Sequence, residues 1–231
     1  MNDGYNMRVC RSKSVEGPYE DAAGHSMLDC TCQPGNFWNN DDIAPYGVKL
    51  MGGCQFVPVE GENSDKAQTI RSPGHNSVYF DEETGRWVLI HHTRFASTGD
   101  RYIVQTREMW FNDYGWPCVA PTRLIRDEIP PESAYQLTGT FKLLRHEQDV
   151  NTVEHTSVTA SFGEDGGISG DMTGSLETGD AGEIRLTVDG VEYHGHGYIG
   201  YDSDQDAFVT AFTAMSQDGQ TLWGIRATGQ E

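Results

Sequence analysis

Short runs rich in β-branched and aromatic residues, each closed by Gly, Asp, Asn or Pro, recur along the 231 residues, while helical periodicity is almost absent. Alternating apolar residues cover one face of a strand, and the punctuating residues supply turns, so the pattern commits the chain to sheets. The expected fold class is all-β.

The runs fall into two sets. The first contains Tyr5 to Cys10, an isolated strand at Gly47 to Met51, and a hairpin in which Ser77 to Phe80 and Arg86 to His92 flank the turn Asp81 to Gly85. A third strand at Arg101 to Phe111 and a fourth at Trp116 to Ala120, joined by Asn112-Asp113-Tyr114-Gly115, make four antiparallel strands in a row, the pattern of one β-propeller blade. A strand as near the start as Tyr5 to Cys10 has no earlier neighbours, which suggests a chain that begins inside a larger sheet assembly. Residues 20 to 55 otherwise read as a long loop. Pro121 to Ser133, with Pro130-Pro131, reads as a linker.

The second set runs from Tyr135 to His146 through Thr152 to Phe162, Ile168 to Leu176, Glu183 to Val188, Val191 to Tyr201, Ala207 to Met215 and Gln220 to Ala227. Meandering strands of this number must close or stack to hide their edges, so a small barrel is expected. The division is therefore 1–130 for the partial propeller and 131–231 for the barrel.

A formal charge of −19 argues against a phosphate-backbone ligand, which requires clustered cations. No apolar run is long enough to cross a membrane as a helix, and the first residues lack the basic and apolar regions of a secretory signal. The five cysteines, at 10, 30, 32, 54 and 118, have no zinc-type spacing and are expected to be free and mostly buried.

The chemistry-bearing residues gather at Ser72-Pro73-Gly74-His75-Asn76-Ser77 and at His91-His92-Thr93-Arg94. A Pro-Gly pair reads as a sharp bend presenting His75 and Asn76 at a strand mouth. Arg94 offers a planar fork of donors suited to oxygen-rich ligands. Asn76 and Arg94 either reach the oxygens of a ligand or brace the strand ends. Trp38 and Trp116 are either stacking platforms or packing anchors. Asp202-Ser203-Asp204-Gln205-Asp206 opens like a calcium loop, but Ala207 and Thr213 stand where Gly and a bidentate Glu are required, so an acidic hairpin turn is expected. Asp81, Glu82 and Glu83 read as a solvated turn.

Several of these segments occur together in a fixed order: Arg11 to Tyr19, Tyr46 to Gly52, the Pro-Gly-His-Asn segment, His92 to Phe95, Asn112 to Pro117 with Val119-Ala120-Pro121, then Ala211 to Met215, Gly219 and Leu222-Trp223-Gly224. In that order they resemble glycoside hydrolase family 43, and most closely its extracellular endo-α-1,5-L-arabinanases. The resemblance implies a five-bladed propeller of which this chain holds the last two blades or so, followed by a lipocalin-like barrel. It also implies that the three catalytic carboxylates lie upstream of Arg11, leaving no catalytic residue here. This chain alone is then expected to be inactive on arabinan, the implied substrate. A non-catalytic carbohydrate-binding or structural module is the alternative. The resemblance further implies that His75 contacts an axial calcium ion ligated largely by water, although a histidine held in a turn is the other reading; an extracellular location is implied too. His91 departs from the aromatic or apolar residue more usual before this His-Thr-Arg-Phe run.

Overall fold

The computed structural model describes residues 4–32, 39–99, 101–125 and 134–229. The strands are β1 (Met7–Val9), β2 (Val48–Met51), β3 (Cys54–Gln55), β4 (Thr69–Asp81), β5 (Arg86–Phe95), β6 (Tyr102–Phe111), β7 (Pro117–Val119) and β8 (Gly139–His146). They continue as β9 (His155–Thr156), β10 (Val158–Phe162), β11 (Gly167–Gly170), β12 (Gly174–Thr178), β13 (Glu183–Val188), β14 (Val191–Asp202), β15 (Ala207–Ser216) and β16 (Thr221–Arg226). Among the described residues no helix is long and apolar enough to cross a membrane.

The C-terminal strands close as expected, β10 through β16 joining β8 to make an eight-stranded barrel. Closure removes every edge, which an open meander of this length could not do. Its interior is filled by Phe141, Phe162 and Phe212 with Leu186, Tyr193 and Leu222. Gly224 makes room for that packing, because a Cβ there would lie 2.1 Å from the Phe212 ring. On β13 burial alternates strictly, with Ile184, Leu186 and Val188 inside and Glu183, Arg185 and Thr187 outside. On β15 and β16 it does not, since nearly every residue from Val209 to Ile225 on these strands is buried. The outer faces of β8, β15 and β16 carry a second core.

That core is shared. Leu144, Met215 and Trp223 of the barrel pack with Met7, Val48, Met51, Leu89, Met109, Trp116 and Val119 of the first half. The first half forms the expected antiparallel run from β4 to β7, extended by β3 and β9 to six strands in the order β7-β6-β5-β4-β3-β9, and a separate pair, β1 with β2.

Three expectations change. Thr152 to Phe162 is two strands: β9 leaves the barrel to pair in parallel with β3, and only β10 belongs to the barrel. Ile168 to Leu176 is likewise two strands, β11 and β12, separated by a turn that contains Asp171. The Pro-Gly pair does not bend the chain but lies inside β4. The 130/131 boundary and Pro130-Pro131 lie outside the described residues.

The cysteines are all free, but only Cys54 and Cys118 are buried; Cys10 and Cys30 are half-buried and Cys32 is exposed. Burial pushes the Cys54 and Cys118 thiols up to about 12, which keeps them protonated and unreactive.

Candidate functional site

The strand β4 meets β5 in register at both ends, but the ladder shifts twice between them, once on either side of Gly74. A bulge adds a residue to one strand and re-aims its side chains. The left-handed backbone this requires falls on Ser72 (φ 47°) and His75 (φ 48°), not on the glycine. Gly74 instead lets the Tyr5 ring approach: a Cβ there would stand 2.3 Å from it. The sequence therefore makes a doubly bulged strand, in which Pro73 sits where the ladder is already interrupted.

This bulge turns the His75 ring outward into a row of aromatic groups. His75 stacks on His92 with centroids 5.7 Å apart, Tyr5 stacks on the same ring at 5.9 Å, and Tyr102 meets it edge-on at 4.5 Å. His92 Nε2 is buried with no hydrogen-bond partner among the described residues. Burial, then the neighbouring His75 and Arg94, lower the His92 pKa from its ordinary value, which favours the neutral ring. Asn76 is exposed beside His75. The Arg94 guanidinium lies 5.3 Å from the Tyr102 centroid and donates to Ser72 Oγ. His75 and Arg94 thus flank the His92–Tyr102 pair, Arg94 being engaged across the bulge, while Asn76 is next to His75 in the middle of β4.

The side chains this brings together are imidazoles, phenols, an amide and a guanidinium, which offer donors, acceptors and aromatic faces. Among the described residues no three His, Cys, Asp or Glu side chains come together as a metal site. Calcium requires six to eight oxygen ligands, and one imidazole does not meet that demand. The residues described here do not build a calcium site on their own.

The remaining candidates resolve mostly as packing. His91 is buried; its Nδ1 faces the His92 carbonyl and its Nε2 accepts from Arg107 Nε at 3.3 Å, while burial holds its pKa down to about 4. Trp116 is a buried anchor beneath the Arg11 guanidinium, which lies 4.0 Å from its ring. Trp38 lies outside the described residues. Asp81 is not solvated with Glu82 and Glu83: it is buried and accepts from the Glu83 amide, tying down the turn. Residues 202 to 206 form a hairpin turn between β14 and β15, as expected, with Asp202 accepting from the Asp204 and Gln205 amides and pairing with Lys142.

Tyr5 and Tyr102 join the row without having been singled out in the sequence, and His92 joins it from the segment that was. The doublet His91-His92 was a visible signal, but only strand parity tells that one faces the core and the other the aromatic row. Tyr5 carried no such signal.

Comparison with known proteins agrees with this architecture. Residues 121–224 match the C-terminal lipocalin-like domain of glycoside hydrolase family 43. The chain is 38% identical over 223 residues to extracellular endo-α-(1→5)-L-arabinanase 2 of Bacillus subtilis, covering 96% of this chain and 47% of that one. An extracellular endo-arabinanase of Thermotoga petrophila is 32% identical, with 96% and 46% covered. Among solved structures, the family 43 YxiA protein of Bacillus licheniformis superposes with a TM-score of 0.84 at 34% identity, covering 97% of this chain and 49% of that one. The Thermotoga petrophila endo-1,5-α-L-arabinanase does so with a TM-score of 0.82 at 32% identity. This chain spans about half the length of each of these relatives.

Proposed function

This chain is a relative of glycoside hydrolase family 43 that corresponds to the C-terminal half of its extracellular endo-arabinanases, and from that premise we propose that it serves arabinan breakdown as the non-catalytic half of such an enzyme. The observation that carries this reading is the match along 96% of the chain, which includes the Pro-Gly-His-Asn segment as well as the barrel. In this proposal the β4 to β7 sheet and the β1 to β2 pair are the last blades of a propeller. The row built on His75, Asn76 and Arg94 then lines the floor of its funnel.

The division of labour follows from the reaction. Inverting glycoside hydrolysis needs an acid and a base about 6.5 to 9.5 Å apart on opposite faces of the bond. Those groups are assigned to the upstream half. Here Asn76 and Arg94 hold sugar hydroxyls, Arg94 being kept in place by Ser72. His92, its neutral form favoured, supports the His75 ring from behind. His75 would be one ligand of a water-rich calcium centre completed by the full assembly.

Release of reducing ends from debranched arabinan is the test. The chain alone should show no turnover above buffer. The upstream half of the Bacillus subtilis relative, supplied in trans, should restore it, and His75→Ala or Arg94→Ala should reduce the restored rate at least tenfold. Turnover by the chain alone would overturn the proposal.

A further inference from the structure

The opposite end of β5 presents a different surface. Arg86 is eight residues from Arg94 along the strand, which places it roughly 26 Å away. There, two clefts of about 320 and 470 Å³ run between β6 and the barrel strand β14. They share one wall, made by Arg86, Glu108, Trp110 and His196. Both volumes fall within the range of small-molecule sites.

The wall is built, not incidental. Trp110 stacks on His196 with centroids 4.6 Å apart and planes 15° from parallel, and leans on Tyr198 at 4.7 Å. Glu108, with 19% of its side chain exposed, meets Arg86 only at 3.6 Å, so the carboxylate keeps acceptor capacity. Trp87 and Phe111 border the smaller cleft, half-exposed and packed edge to face. Arg123 borders the larger one, over the Tyr201 ring.

We propose that this junction is a second carbohydrate-binding groove, separate from the His75 row, which takes a neutral oligosaccharide. The ligand class follows from the lining. A hydroxyl both donates and accepts, and an adjacent carboxylate, guanidinium and imidazole serve it in both directions. Aromatic walls suit the C–H faces of a sugar ring. Opposed charges on one wall reject an isolated ion of either sign, and the −19 net charge disfavours an acidic polysaccharide. Burial holds the His196 pKa down to about 4, leaving a neutral ring, and raises that of Glu108. Its role would be to retain polymer near the cleaving site, so the choice of arabinan rests on the function proposed above, whereas the groove itself does not.

Titration of the 231-residue chain with linear arabinohexaose, followed by tryptophan fluorescence and calorimetry, tests it. Saturable binding is expected, weakened at least tenfold by Glu108→Gln and by Arg86→Met and unchanged by Val15→Ser, at an exposed residue outside both sites. Trp110→Phe, which keeps a ring against His196, should weaken it about threefold, with near-ultraviolet circular dichroism confirming the fold. No saturable binding to any neutral oligosaccharide, or binding lost in Arg94→Ala but kept in Glu108→Gln, overturns the groove. Binding of a β-1,4-gluco-oligosaccharide instead of arabinohexaose, with the same loss in Glu108→Gln, supports the groove and overturns the arabinan assignment.

Discussion

The barrel and the six-stranded sheet are made of the same kind of strand and end differently. In the barrel each strand has two partners and the aromatic residues of the interior are sealed from water. The sheet keeps two edges, β7 and β9, and leaves Tyr79, Tyr102 and Val104 at 53%, 61% and 70% exposure. Natural sheets seldom leave such a face uncovered, and a neighbouring propeller blade is the cover that the proposed function supplies. The lesson is that strand sequence fixes which side chains share a face, while closure decides whether that face is satisfied.

The comparison breaks most severely where the two regions are tied. Lys142, on the barrel, has its ammonium buried between Glu62 and Asp202, and Glu62 also accepts from Val59 and Thr228. Lys142→Met leaves two buried carboxylates uncompensated and should cost about 3–5 kcal/mol. Urea unfolding should show both regions losing structure in one transition; separate transitions would mean that the shared core does not couple them.

Next in size is a contrast between glycines. A Cβ at Gly195 would meet the Thr213 carbonyl oxygen at 2.0 Å, a backbone atom in a closed ladder, so Gly195→Ala should cost about 1–3 kcal/mol. At Gly74 the obstruction is the Tyr5 ring, 47% exposed and able to swing away. Gly74→Ala should cost under about 1 kcal/mol, and melting temperatures of the pair rank them. Equal losses would mean that the open sheet is as rigid as the barrel.

Acid should act through both regions. Burial holds His91 and His196 down to about 4 and His146 well below its usual value. Unfolded histidines titrate near ~6.5, so the neutral native rings favour folding fully above that pH and lose ground as pH falls towards 4, by ~1.4 kcal/mol per pH unit for each ring. Asp204, raised to about 6 by burial, has the opposite sign: it favours the native state on the acid side and offsets part of the loss between its unfolded value and 6. The net expectation is a falling urea midpoint from pH 7 to 5, with a shallower slope in His91→Gln. An unchanged slope would remove His91 from the account.

The smallest effect belongs to the uncovered face. Val104→Lys should change stability by less than about 0.5 kcal/mol and lower light scattering at high concentration. A large loss of stability would show that the face is already engaged.

Much of this was legible in the sequence. The alternation on β13 and the turns Asp189-Gly190 and Gln217-Asp218-Gly219 specify the barrel meander, and Asn112-Asp113-Tyr114-Gly115 specifies the β6–β7 turn, in which Asn112 Oδ1 accepts from the Tyr114 and Trp116 amides. The bulged β4 was not legible, because Pro-Gly carries the same signal in a turn and at an interrupted ladder. Nor was β9, since two residues have no periodicity and their pairing with Cys54 and Gln55 is long-range. The junction groove was hidden for a similar reason: Glu108 and His196 are ordinary strand residues until β6 packs beside β14 and brings them to one wall.

The parallel pairing of β3 with β9 also bears on how the chain is made. Cys54 faces His155, so the pairing of β3 cannot be completed until about 100 further residues have left the ribosome. At ~5–20 residues per second that is a wait of roughly 5–20 s. During it Cys54, Met51 and Leu89 have no barrel to lie against. The apolar side chains of the shared core are therefore most in need of shielding before the barrel emerges.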